Sequence, residues 1–164
     1  MNFIKSIIAT LLISTCSFAQ TEEKKKWDVS QPAGNSKTVE FSTTEGTFMN
    51  LDVSPDGKTI IFDLLGDIYS IPVNGGTATA LRSGFPFEVQ PRFSADGKKI
   101  CFTSDAAGGD NIWMMNADGS NAKQITKESF RLLNNSVFTP DGNYVIARKH
   151  FTSTRSMGAG EMWM

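Results

Sequence analysis

The sequence predicts an all-β chain organised as a partial β-propeller, with two complete four-stranded antiparallel blades and most of a third. Three observations predict it. A turn signature recurs as Ser54-Pro55-Asp56-Gly57, Ser94-Ala95-Asp96-Gly97 and Thr139-Pro140-Asp141-Gly142, at spacings of 40 and then 45 residues. An apolar triplet follows each copy at the same offset: Ile60-Ile61-Phe62, Ile100-Cys101-Phe102 and Val145-Ile146-Ala147. No stretch sustains the 3.6-residue period of a helix. A repeat period in this range marks a stacked array of like units. A β-sandwich would account for the number of strands but not for the shared turn and triplet.

Residues 1–20 read as a secretory signal peptide. Lys5 supplies the positive start, residues 7–13 the apolar core, and Ser17-Phe18-Ala19 the small-residue end, with cleavage expected before Gln20. The apolar run is too short to span a bilayer as a helix. Ile13-Ser14-Thr15-Cys16 loosely resembles a lipoprotein processing site, but Thr15 fits poorly before Cys16. Residues 21–37 form a charged linker and amino-terminal extension, in which Trp27 is the first side chain expected to dock. The propeller is expected over 38–164, with blades near 49–82, 88–126 and 135–164. Residues 38–41 alternate polar and apolar and are expected to form a strand of their own.

In the first blade, residues 49–53 alternate as a half-buried strand does. Pro55 then sets the first turn corner, Asp56 accepts hydrogen bonds from nearby N–H groups, and Gly57 takes the left-handed conformation that closes the turn. Residues 58–63 return as a strand whose centre is apolar on both faces, so both faces require cover. Gly66-Asp67 turns into a third strand at 68–72, and the Asn74-Gly75 hairpin leads to a fourth at 77–81. The second blade repeats the plan with strands at 89–93, 99–104, 111–115 and 122–126, and Asp96, Gly97 and Asp118-Gly119 at its turns. The third offers strands at 136–138, 144–147 and 161–164, with Asp141 and Gly142 in its turn. Small sheets whose inner strands are apolar on both faces suit a propeller, where neighbouring blades cover them. Tyr69, Trp113 and Trp163 fall at equivalent strand positions and are expected to pack between blades.

Composition narrows the function. The net charge is −1, with 40% hydrophobic and 20% charged residues, so the sequence offers no basic surface for nucleic acid. Beyond the leader only Cys101 remains, so no internal disulfide is possible, and its place inside an apolar triplet makes it a buried hydrophobe.

The blade pattern runs apolar strand, Ser-Pro-Asp-Gly-Lys, apolar strand, Gly-Asp, Ile-Tyr or Ile-Trp, then Asn-Gly or Asp-Gly. It resembles the TolB-like propeller repeat of exported bacterial proteins, and it lacks the Gly-His and Trp-Asp signatures of WD-type propellers. Ala95 departs from the Pro of the repeat without changing the turn type. The runs from Met49 through Lys58 to Gly66-Asp67-Ile68-Tyr69, and Lys149-His150-Phe151-Thr152-Ser153-Thr154-Arg155 with Gly158-Ala159-Gly160-Glu161, resemble the amino-terminal propeller of large secreted amidohydrolases. That resemblance covers about residues 27–164. It implies a metal-dependent TIM-barrel hydrolase after the propeller, with a divalent metal such as zinc in that further domain only. Related repeats also occur in TolB itself and in the propellers of exported serine peptidases.

The sequence carries none of the catalytic machinery. One histidine cannot supply a His-x-His pair or a catalytic zinc site. No Gly-x-Ser-x-Gly elbow is present. Gly108-Gly109-Asp110 is no phosphate or dinucleotide loop, and residues 116–121 lack the spacing of an EF-hand. No cofactor is expected in this chain.

Antiparallel topology places the tight Asp-Gly and Asn-Gly turns on one rim and the longer segments 83–88, 105–110, 127–134 and 148–159 on the other. Loops on a rigid scaffold are where binding usually resides, so the second rim is the expected working face. Arg148, His150 and Arg155, with Lys149, are its binding candidates, for an anionic group or a partner domain. A solvated loop with no specific contact is the plainer account of them. The turn aspartates read as caps. Phe85 and Phe87 offer either an exposed apolar patch or, as the favoured expectation, packing between blades.

The partner is expected to be the protein's own downstream domain or another envelope protein, with the chain exported to the periplasm or beyond. Two blades and most of a third fall short of a closed ring, so the sequence is expected to be the front portion of a longer protein.

Overall fold

The turn signature builds the same hydrogen-bonded corner three times. Gly57, Gly97 and Gly142 have φ of 71°, 71° and 72°, the left-handed region that glycine enters without strain. Asp56, Asp96 and Asp141 accept the hydroxyl hydrogen of Ser54, Ser94 and Thr139 and the N–H of Lys58, Lys98 and Asn143. The same hydroxyl oxygens accept the N–H of Thr59, Lys99 and Tyr144, which starts each returning strand. These bonds hold the turn carboxyls below the ordinary aspartate range.

The computed structural model describes residues 28–32, 34–151 and 160–164. The expected leader and its Cys16, Trp27 and Arg155 lie outside them. The described strands are β1 (Leu51–Val53), β2 (Thr59–Leu64), β3 (Asp67–Pro72), β4 (Thr79–Arg82), β5 (Glu88–Phe93), β6 (Lys99–Ser104), β7 (Asn111–Asn116), β8 (Lys123–Gln124), β9 (Leu133–Phe138), β10 (Val145–His150) and β11 (Gly160–Trp163). They form three antiparallel sheets in the orders β1-β2-β3-β4, β5-β6-β7-β8 and β11-β10-β9, referred to below as blades 1, 2 and 3. The fold is all-β, as the alternating pattern predicts.

Register shows the repeat in three dimensions. Phe62 pairs with Tyr69, Phe102 with Trp113, and Ala147 with Trp163. Side chains alternate across β6, so its triplet divides between two cores. Ile100 and Phe102 join Ile61, Ile68 and Met115 between blades 1 and 2. Cys101 joins Ile112, Leu133 and Ala147 between blades 2 and 3. All three residues of this central triplet are fully buried. In blade 1 only Ile61 of its triplet is, because Ile60 and Phe62 face away from blade 2.

Polar clasps join the blades near their first strands. Gln90 and Asn135 have φ of 61° and 53° at irregular points of β5 and β9. The Gln90 N–H donates to Asp63 Oδ2 of blade 1 at 2.7 Å, and the Asn135 N–H donates to Gln90 Oε1 of blade 2 at 2.8 Å. Asp63 also accepts the backbone N–H and side-chain amide of Asn50, so both oxygens of this buried carboxylate are hydrogen-bonded.

Several local expectations are corrected. Residues 38–41 form no strand: Val39 and Phe41 are 73% and 64% exposed, and no neighbouring edge pairs with them. A two-residue alternation gives a strand only where a partner ladder exists. β8 shrinks to two residues, while β9 and β10 extend further than expected, to Leu133 and to His150. Tyr69 stacks on Phe62 of its own blade, with ring centroids 5.6 Å apart, rather than between blades. Trp113 packs against the blade 1–blade 2 core.

Candidate functional site

The hairpin order places residues 65–66, 83–87, 105–110 and 127–132 on the rim opposite the tight turns. These segments are held by buried polar groups. Glu88 is buried at the start of β5 and takes a forked contact from Arg82, with Nη2 to Oε1 at 2.8 Å and Nε to Oε2 at 3.1 Å. Its N–H donates to Gly66 O of the first blade. Gly66 has φ of 90°, and a Cβ there would sit 2.8 Å from the Phe87 ring, so the corner requires glycine. Asp105 accepts the Phe87 N–H at 2.8 Å. Phe85 and Phe87 both remain exposed, and the Phe87 ring reaches back onto the Gly66 corner of blade 1.

Asn111 anchors the next rim segment. Its Oδ1 accepts the Thr126 hydroxyl and the Glu128 N–H, and its Nδ2 donates to Glu128 O and Gly109 O. Glu128 then caps the bend, its Oε1 accepting the N–H groups of Ser129, Phe130 and Arg131 at 3.2–3.3 Å. Its Oε2 meets Lys149 Nζ at 2.6 Å. Lys149, aided by those N–H groups, pulls the Glu128 carboxyl down to about 2.

The basic candidates do not converge. Arg148, Lys149 and His150 belong to β10 rather than to a loop, and alternation sends Lys149 to one face and Arg148 and His150 to the other. Topology and segment length place 148–159 on the rim as a longer segment; instead the ladder to β9 and β11 carries these three residues as strand. Lys149 is committed to Glu128 and lies 4.6 Å from the Trp163 ring centre. His150 is 5% exposed, with Nε2 donating to Asn134 Oδ1 at 3.2 Å and Nδ1 buried without a partner among the described residues. Arg148 is half-buried and crosses Gly160, where a Cβ would lie 2.8 Å from its Nε.

A feature the sequence did not announce lies between blades 2 and 3. Blade 3 has Ala147 where blade 2 has Phe102, and the volume this omits opens as a groove of about 260 Å³. Ile112, Ile125, Leu133, Val145 and Trp163 line it, with the Glu128–Lys149 pair at its edge. The one available signal was the small residue at the third triplet position. Such a groove suits an apolar side chain flanked by polar contacts.

Cys101 is buried, and burial pushes its thiol up to about 11, against a weaker opposing pull from the Ser136 hydroxyl. Among the described residues no three His, Cys, Asp or Glu side chains gather to hold a metal ion. Among them, too, no helix is long and apolar enough to cross a membrane.

Four-stranded antiparallel sheets stacked face to face, with first strands clasped side by side, define a β-propeller. The comparisons with known proteins agree. The family model described as the TolB beta propeller domain matches residues 21–162, and the chain belongs to that family. It is 36% identical over 81 residues to an uncharacterised protein of Agrobacterium fabrum, covering 47% of this chain and 28% of that protein. It is 31% identical over 107 residues to the Tol-Pal system protein TolB of Helicobacter hepaticus, covering 63% of this chain and 25% of the relative. A structure solved as a TolB of Agrobacterium tumefaciens superposes with a TM-score of 0.62 at 25% identity, covering 73% of this chain and 50% of that one. The chain therefore spans about a quarter of its curated relatives and half of the solved structure.

Proposed function

We propose that this chain is the non-catalytic propeller portion of an exported protein, acting in the periplasm or outside the cell as a docking or substrate-access scaffold. Its partner in this reading is a downstream metal-dependent hydrolase domain, which the amidohydrolase resemblance implies. The carrying observation is the rim segment 126–131, folded around Glu128, anchored by Asn111 and set beside an apolar groove. A rim fixed this way presents a set shape to a protein surface, and ordering cost on binding is small. Arg148, on the face of β10 opposite the groove, and Arg155 are in this reading further cations for the partner, with His150 a buried support.

A second reading is favoured by the Helicobacter hepaticus relative, named as a Tol-Pal system protein. In it the same rim binds another envelope protein, and no hydrolase is involved.

Site-specific photo-crosslinking in the producing cell tests both. A crosslinker replacing exposed Phe85 or Phe130 samples the loop rim, and one replacing Pro55 samples the turn rim. Crosslinks from Phe85 and Phe130 to the protein's own downstream domain support the first reading, and crosslinks to a separate envelope protein support the second. Crosslinks from Pro55 alone would reject both.

A further inference from the structure

The hairpin between β2 and β3 holds a residue poorly suited to its place. Leu64 pairs with Asp67, so Leu65 and Gly66 are the two central residues of the turn, with φ of 56° and 90°. Both central residues of such a turn take the left-handed region, where Asn-Gly and Asp-Gly fit and a leucine Cβ crowds its own carbonyl. Leu65 is also 79% exposed, so burial does not offset that strain. The repeat does not require it: the corresponding corner of blade 2, residues 105–110, carries no large apolar side chain. A strained residue that the fold does not need points to a use outside the fold.

Phe85 projects from the adjoining link between blades 1 and 2 and is 54% exposed. The two loops are bound together. The Gly84 N–H donates to Asp67 Oδ1 at 3.1 Å, the Glu88 N–H donates to Gly66 O at 2.8 Å, and the Phe87 ring lies on the Gly66 corner. Asp105 holds the Phe87 N–H at 2.8 Å, and Pro86 fixes the backbone angle between the two phenylalanines. Phe85 is therefore held at both flanks. The charged side chains of residues 64–68 and 82–88 are all engaged within the fold: Asp67 by Gly84 and the Tyr69 hydroxyl, Arg82 and Glu88 by each other. What projects is an ordered, uncharged apolar knob, at a joint internal to the array rather than at either end of it.

We propose that Leu65 and Phe85 seat in an apolar, uncharged pocket on the protein surface that docks against the loop rim. The proposal rests on the rim-docking reading and names the side chains that carry the contact and the chemistry that receives them. A large apolar side chain already ordered before contact supplies much of the binding when its pocket excludes water. An anionic lipid surface would call for unpaired cations beside the apolar tips, and in residues 64–68 and 82–88 the one cation, Arg82, is taken by Glu88.

Crosslinking in the producing cell tests it, read from a photo-reactive residue replacing Phe130, outside the knob, in the wild-type background and with Leu65→Asn or Phe85→Ala. Thermal unfolding of each purified variant accompanies it. Leu65→Asn gives the turn a residue it favours, so its unfolding midpoint is expected to hold or rise while the crosslink yield to the partner falls about tenfold. Phe85→Ala is expected to lose a similar factor with its midpoint unchanged. A photo-reactive residue replacing Phe85 itself is expected to capture a partner peptide of apolar side chains. Undiminished yield in either variant overturns the proposal and leaves rim docking intact. So does a Leu65→Asn midpoint that falls, since Leu65 then serves the fold. Capture of a charged peptide or of lipid from the Phe85 position overturns it, as does binding of the wild type to phosphatidylglycerol vesicles that both variants abolish. Crosslinks confined to the Pro55 position reject the docking reading, and the proposal with it.

Discussion

Replacing Asp63 by alanine removes the carboxylate that joins blade 1 to blade 2. Three N–H donors lose their acceptor: Asn50 N at 2.9 Å, Asn50 Nδ2 at 2.8 Å and Gln90 N at 2.7 Å. Bonds to a charged group are worth about 1.5–3 kcal/mol each, so three set a ceiling of roughly 9 kcal/mol. Part is recovered, because holding a carboxylate at 3% exposure is itself costly and water can reach the half-buried Asn50 and Gln90. The net loss is about 3 kcal/mol, which at a urea slope near 2 kcal/mol/M lowers the unfolding midpoint by about 1.5 M. Urea unfolding followed by tryptophan fluorescence reads this directly, and amide exchange at Gln90 reads the clasp itself. Gln90 is in the next blade, so its exchange is expected to rise even where the chain stays folded. A stability loss below about 0.5 kcal/mol, or an unchanged Gln90 amide, would refute the reasoning.

Two further outcomes follow from the same geometry. Gly119→Ala places a Cβ 2.7 Å from Leu81 O of blade 1 at a φ of 85°, while Gly75→Ala, at 86°, meets open space. Thermal unfolding is expected to show a loss of at least about 2 kcal/mol for the first and about 1 for the second. The Glu128 carboxyl is depressed to about 2, so its contribution is complete above the ordinary value of 4.5 and is lost as pH falls from there toward 2. Glu128→Gln is expected to remove that part of the acid dependence, about 1 kcal/mol for a pair this near the surface, as seen by comparing unfolding midpoints at pH 6 and pH 3.

The all-β fold was legible because its punctuation is local. An Asp two residues after a Ser or Thr, with Gly following, satisfies its own turn whatever lies elsewhere in the chain. The apolar triplets were legible for a similar reason, since three consecutive apolar residues on a strand require cover on both sides. What pairing decides was not legible. Residues 38–41 have the alternation of a strand but no ladder beside them, while Arg148, Lys149 and His150 lack that look and are carried by neighbours on both sides. The groove depends on Ala147 standing opposite Trp163, a relation that exists only once register is known. The clasp at Asp63 left one faint trace, a polar residue directly after each triplet: Asp63, Thr103 and Arg148.

The central claim is that each blade covers the face of the next, and Cys101 measures it. With Cys16 changed to serine, Cys101 is the only thiol, and it lies at the joint of blades 2 and 3. Raising its pKa from 9.0 to about 11 already cuts the thiolate at pH 8 about a hundredfold, before any steric protection. The account predicts that a thiol reagent labels Cys101 at the rate of blade opening, slowly in the native chain and at once in urea. Labelling of the native chain as fast as a free peptide thiol would contradict it.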